Sequence, residues 1–156
     1  LFPGGIPTTQ AQAEAYLTTI QVPITTKSGN KSTASVTVHE AIAQDVYNAC
    51  VAAQNAGFKI YEIGGYRTFG TDTAGKSGGL SYSQHCYGLA VDINSTENGQ
   101  FKNGVATGNW FYSPGTNEYS ITSNSALVNA FKKAGWGWGG EWNSSKDYMH
   151  FSFMGT

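Results

Sequence analysis

No stretch of the 156-residue chain is apolar over anything near the roughly 20 residues that cross a bilayer, so no membrane insertion is expected. Arginine is almost missing. Nine basic residues face ten acidic ones, and Arg67 is the single arginine among them. With a formal net charge of −1 and scattered lysines, no basic stripe invites nucleic acid or an anionic membrane. Cysteine is scarce too. Cys50 and Cys86 are too few for a disulfide scaffold, and their spacing fits no structural zinc motif. Neither an internal repeat nor a linker interrupts the chain, so residues 1–156 are expected to form one domain. The first residues do not read as a signal peptide, and the opening Leu-Phe-Pro-Gly-Gly is expected to lie inside a longer polypeptide.

What is plentiful is glycine, 20 residues, which implies tight turns and a loop-rich surface. Thr8 and Thr9 can cap a first helix running to about Ile20. Short strands are expected at 22–26 and 35–38 around Ser28-Gly29-Asn30. The clearest helix runs from Glu40 to Ala56, with Ile42, Val46, Ala49, Cys50 and Ala53 at helical spacing and Gly57 as its stop. A strand at 58–63 leads into Gly64-Gly65-Tyr66-Arg67, and residues 70–80 read as a flexible Gly-rich loop. A strand at 89–94, a helix at 124–134 ended by Gly135, and a last strand at 148–153 complete an α+β pattern.

Two of these strands carry candidate chemistry. Period-two alternation sets Leu89, Val91 and Ile93 opposite Ala90, Asp92 and Asn94, and sets Met149, Phe151 and Phe153 opposite Tyr148, His150 and Ser152. If the strands are neighbours, Asp92 and His150 converge. His85 lies seven residues before Asp92, which a continuous strand would send to the wrong face; a turn at Gly88 lets it swing back. Two imidazoles and a carboxylate with an open fourth position form a common catalytic zinc set. Each residue also has a plainer reading, a core histidine for His85 or His150 and a turn cap for Asp92.

The wider pattern is more specific. Ser83-x-His85-x-x-Gly88-x-Ala90-x-Asp92 is followed by Trp138-Gly139-Gly140-x-Trp142 and by Asp147-x-x-His150-Phe151, with Gly65-Tyr66-Arg67 upstream. Together these resemble the VanY-like zinc peptidases of the M15 family, over about residues 36–153. That family includes D-alanyl-D-alanine carboxypeptidases and the L-alanyl-D-glutamate endopeptidases of endolysin type.

The resemblance implies a hedgehog-like α+β fold, a small antiparallel sheet with flanking helices and zinc in a cleft on it. It implies one Zn2+ held by His85, Asp92 and His150, with Asp147 as general base and Arg67 steadying the transition state. Asp147 is expected in the turn before the last strand. Glu141 is its rival for the role of base, and pairing with Glu62 is the alternative for Arg67. Tyr66, Ser83, Gln84 and Trp138 are candidate substrate contacts, although turn formation explains Ser83 and packing explains the tryptophans equally well. His39 reads as structural, and Cys86 as packed or disulfide-bonded to Cys50.

The expected substrate is the bacterial stem peptide, cut outside the cell by a monomeric enzyme. The compact chain and its Trp-Gly-Gly-x-Trp ending favour the L-Ala–D-Glu bond, with D-Ala–D-Ala as the runner-up. A non-catalytic, zinc-containing wall-binding module is the rival from another class.

Overall fold

A computed structural model of the chain describes residues 1–70 and 78–156. Most of the Gly-rich 70–80 loop read from the sequence therefore lies outside the described residues. The first helix, α1 (Gln10–Glu14), opens with a reciprocal cap: Thr9 Oγ1 accepts from the Gln12 N–H, and Gln12 Oε1 accepts from the Thr9 N–H. It stops after five residues instead of reaching Ile20. The reason is the Leu-Thr-Thr-Ile-Gln-Val run, whose β-branched side chains and long-range partner favour a strand. That strand, β1 (Leu17–Thr25), pairs antiparallel with β2 (Lys31–His39) from Leu17↔His39 to Thr25↔Lys31. Both strands are longer than alternation suggested, and Gly29 turns the hairpin at φ +93°.

A 3-10 turn at Glu40–Ile42 precedes α2 (Ala43–Asn55), where the sequence suggested one helix. His39 Nδ1 accepts the Ala41 N–H at 3.0 Å and so caps the turn, giving this histidine the structural role expected of it. Val46, Ala49, Cys50 and Ala53 form the buried face of α2 at i, i+3, i+4, i+7.

The strand expected at 58–63 is reduced to β3 (Ile63–Gly64). The Asn94 side chain replaces ladder pairing there, accepting from the Tyr61 N–H at 3.0 Å and the Glu62 N–H at 3.3 Å while donating to the Lys59 carbonyl at 2.9 Å. The chain continues through β4 (Ala90–Ile93), β5 (Gln100–Lys102), β6 (Val105–Ala106), α3 (Ala126–Lys133), β7 (Gly137–Trp138), β8 (Ser145–Asp147) and β9 (His150–Ser152). Ser125 caps α3 through the Val128 N–H, and Gly135 ends it at φ +91°.

The strands form three small antiparallel sheets rather than one: β1-β2, β3-β4-β9-β7 and β6-β5-β8. β4 lies inside the second and is buried on both faces. Helices α2 and α3 pack together, and Phe131 of α3 stacks on Phe151 of β9 at 4.5 Å between ring centroids. No described helix is long and apolar enough to cross a membrane.

Gly65 locks the hairpin to the second sheet. Its neighbour Tyr66 donates its N–H to Thr37 O at 2.8 Å, and a Cβ on Gly65 would lie 2.3 Å from that same oxygen. Backbone cannot yield as a flexible side chain does. Gly65→Ala is expected to lose roughly 2 kcal/mol or more of folding stability in urea unfolding. A loss below about 0.5 kcal/mol would contradict this packing.

Candidate metal centre and active site

The site is assembled by one strand pairing and one turn. In the β4–β9 ladder Asp92 lies directly opposite His150. The 3-10 turn Gln84–Tyr87 brings in His85: Ser83 Oγ accepts the His85 N–H at 3.3 Å, and Gly88 closes the turn at φ +70°. Only glycine fits at residue 88. Besides its left-handed backbone, a Cβ there would approach His39 N to 2.4 Å.

Three atoms meet as a result. His85 Nε2 is 3.2 Å from His150 Nδ1 and 3.3 Å from Asp92 Oδ1, and His150 Nδ1 is 3.2 Å from that oxygen. The triangle is nearly equilateral, and all three side chains are buried. Metal–ligand bonds of about 2.0–2.1 Å give a tetrahedron edges of roughly 3.3–3.4 Å, which the observed sides match closely.

The outer hydrogen bonds select the tautomers. His85 Nδ1 lies 2.8 Å from Gly65 O, and His150 Nε2 lies 3.2 Å from Thr156 O. Each carbonyl accepts an N–H, which leaves the inward nitrogen with its lone pair. Three lone-pair atoms then face one point, and a cation satisfies them all. The donor set fits zinc.

Charge reinforces the arrangement. Burial alone would push Asp92 up, but His85 and His150 beside it outweigh that and hold its carboxyl below the ordinary range. Burial would push His150 down, yet the hydrogen bond to Asp92 leads the opposing effects and holds its proton more tightly than usual.

Asp147 behaves oppositely. Burial and the nearby Asp92 charge raise it to about 6, and its Oδ1 is buried with no hydrogen-bond partner. It closes β8, paired with Gln100 of β5, instead of sitting in the turn expected before the last strand. The Tyr148-Met149 turn follows it, so the strand begins two residues later than alternation suggested.

Arg67 pairs with Asp92 Oδ2, not with Glu62 as its alternative had it. Its backbone N–H donates to His85 O at 3.2 Å, and its side chain reaches the site from a partly exposed position, 42% accessible. Glu141 stands apart, exposed and ion-paired with Lys132 at 2.8 Å.

A cleft of about 310 Å³ opens over the triangle, and Arg67, Ser83 and Asp147 line it with the three ligand candidates. Of the other sequence candidates, Tyr66 and Gln84 are not in its wall. Tyr66 donates to Glu14 at 2.7 Å. Gln84 donates to Thr156 O at 2.7 Å and accepts from the Met154 N–H at 2.9 Å, so it holds the strap whose carbonyl orients His150. Trp138 is buried, its indole N–H on Tyr148 O at 2.8 Å, and the tryptophans that do line the cleft are Trp110 and Trp142.

Gln100, Lys102 and Thr156 complete the wall with Met149, which alternation had set on the face opposite His150 and which instead lies in the turn before β9. The Asn103-Gly104 pair, a hairpin signal, was the one local cue to Lys102. The disulfide reading fails. Among the described residues neither cysteine is bridged; Cys50 is packed in the core face of α2 and Cys86 Sγ points to Thr68 O at 3.5 Å. Burial pushes the Cys50 thiol up to about 12, which makes it an inert packing group.

Residues 77–153 match the M15 peptidase model described as D-alanyl-D-alanine carboxypeptidase. This match, over just under half of the chain, supports membership of the M15 peptidase family. The matched region holds His85, Asp92, Asp147 and His150, while Arg67 lies upstream of it. No curated protein and no solved structure matches the chain.

The raised Asp147 gives a signed prediction for the metal-free protein. A carboxyl whose folded pKa lies above its unfolded value favours folding below the unfolded value, near 4, and loses that contribution as pH rises through about 6. Asp147→Asn keeps the neutral shape at every pH. It should therefore stabilise the metal-free protein by ~1–2 kcal/mol at pH 8, after allowance for partial solvent contact, and by little at pH 4. Equal effects in thermal melts at both pH values would contradict the burial of an unpaired carboxylate.

Proposed function

We propose that this chain is a zinc-dependent peptidoglycan peptidase that hydrolyses the L-Ala–D-Glu bond of the bacterial stem peptide. The observation that carries the reading is the lone-pair triangle of His85, Asp92 and His150 beside the half-buried carboxylate of Asp147, whose Oδ1 is buried with no hydrogen-bond partner. Membership of the M15 family supports it. The choice of bond rests on the compact, endolysin-like layout with its Trp-Gly-Gly-x-Trp segment. The matched description names the D-Ala–D-Ala bond instead, and that is the second reading.

Zinc bound by the triangle would act as a Lewis acid and lower the pKa of a water from about 16 to about 7. The protein's own groups divide the remaining work. Asp147 takes a proton from the attacking water and delivers it to the leaving amine. Its raised basicity suits this exchange, because a carboxylate near 4 would hold the proton too weakly. The guanidinium of Arg67, always charged and already oriented by Asp92, steadies the oxyanion that grows on the scissile carbonyl. Ser83, with its hydroxyl on the His85 N–H, and the walls of Trp110 and Trp142 bound the space in which the peptide lies.

A wall-binding module would have no use for Asp147. An unpaired buried carboxylate weakens the fold, and a reaction that needs a base accounts for its retention. The natural place of action is the wall, outside the cell, on one stem peptide per monomer.

The test is mass spectrometry of fragments released from purified peptidoglycan. The expected products end in L-alanine on one side and begin with a new D-glutamate amino terminus on the other. Asp147→Ala should abolish release, by a factor on the order of 100 or more, while keeping about one zinc per chain. Loss of terminal D-alanine alone would select the second reading. Normal turnover by Asp147→Ala would remove it from the base role.

A further inference from the structure

Stem peptides present a carboxylate next to the bond to be cut. In L-Ala–D-Glu the chain continues through the glutamate side chain, so the D-residue keeps its α-carboxyl; in D-Ala–D-Ala the carboxyl is terminal. A cation in the cleft would attract it, and the single arginine, Arg67, is ion-paired with Asp92.

Among the described residues, Lys102 is the other cation of the cleft wall. Its position follows from two strand pairings. β5 lies against β8 with Gln100 opposite Asp147, and Lys102 comes two residues later, on the same face as Gln100. A two-residue step is about 7 Å, within the span of an extended lysine side chain. Asn103 (φ +50°) and Gly104 (φ +78°) make a two-residue turn with both φ values positive, which pins Lys102 to Val105 of β6. The lysine therefore stands on a fixed hairpin beside the catalytic carboxylate.

Its charge is uncommitted. Lys27, Lys59 and Lys132 are ion-paired with Glu97, Glu118 and Glu141, and Lys146 donates to Gly140 O at 3.1 Å. Lys102 forms no hydrogen bond or ion pair with any described residue.

We propose that Lys102 is a specificity-determining residue that binds the α-carboxylate of the D-residue on the leaving side of the scissile bond. The proposal rests on the stem-peptide reading above. An ammonium attracts a carboxylate as a point charge without imposing a two-pronged geometry, so it tolerates the side-chain branch of D-glutamate.

The test uses zinc-loaded full chain carrying Asp147→Asn, which prevents turnover, and calorimetry with four probes. These are acetyl-L-alanyl-D-glutamate, its α-amide, acetyl-D-alanyl-D-alanine and its amide. At least one carboxylate should bind tenfold or more tightly than its amide. Lys102→Gln should bring each pair within about twofold, and Lys102→Arg should retain the preference, with zinc content the same in all three. A preference that survives Lys102→Gln, no preference with Lys102 in place, or no binding of either carboxylate overturns the proposal.

Wall digestion by the otherwise native chain separates the two claims. Digestion with no Lys102-dependent preference sinks the carboxylate site alone. A Lys102-dependent preference without digestion sinks the peptidase reading and keeps the site.

Discussion

Three lone-pair atoms held within 3.3 Å of one another, in a buried place, form the constraint on which the rest of this structure depends. Left without a positive charge, such a cluster is unfavourable, because burial removes the water that would otherwise separate the dipoles. The hydrogen bond to Asp92 raises the basicity of His150, in keeping with a place that favours positive charge. The geometry is imposed from outside the triangle. Strand pairing sets Asp92 against His150, Gly88 returns His85 over the sheet, and the carbonyls of Gly65 and Thr156 turn the imidazoles inward.

That outer layer explains features with no chemistry of their own. Gly65 has to be small because its carbonyl reaches His85 while a Cβ there would run into the β2 backbone at Thr37. Gln84 and Trp142 tie down residues 154–156, the indole N–H of Trp142 donating to Gly155 O at 3.0 Å, so the carbonyl that orients His150 is itself held. The same surroundings push two carboxylates apart, Asp92 downward and Asp147 upward. The first direction suits a metal ligand and the second suits the base proposed above.

The sequence disclosed what is local or strictly periodic. Alternation put Asp92 and His150 on matching faces, Gly88 announced the turn that returns His85, and Thr9, Gly57 and Gly135 marked helix ends correctly. It failed where distant pairing overrides local preference. Leu17–Ile20 look helical until β2 supplies a partner, and residues 58–62 look like a strand although the Asn94 side chain and scattered backbone groups take their hydrogen bonds. Asp147 was assigned to a turn because nothing near it reveals β5, its ladder partner. The same missing strand hid Gln100 and Lys102. The tryptophans were interchangeable on paper, and only the turn between residues 138 and 142 decides that Trp138 enters the core while Trp142 faces the cleft.

The central claim is that the triangle is a zinc site with defined donor atoms. X-ray absorption at the zinc edge of the loaded protein measures this most directly. The account predicts about one zinc per chain, with two imidazole nitrogens and oxygen ligands at roughly 2.0–2.1 Å, and loss of one imidazole in His150→Ala. A sulfur shell near 2.3 Å, which would implicate Cys86, or a spectrum unchanged by His150→Ala would contradict it.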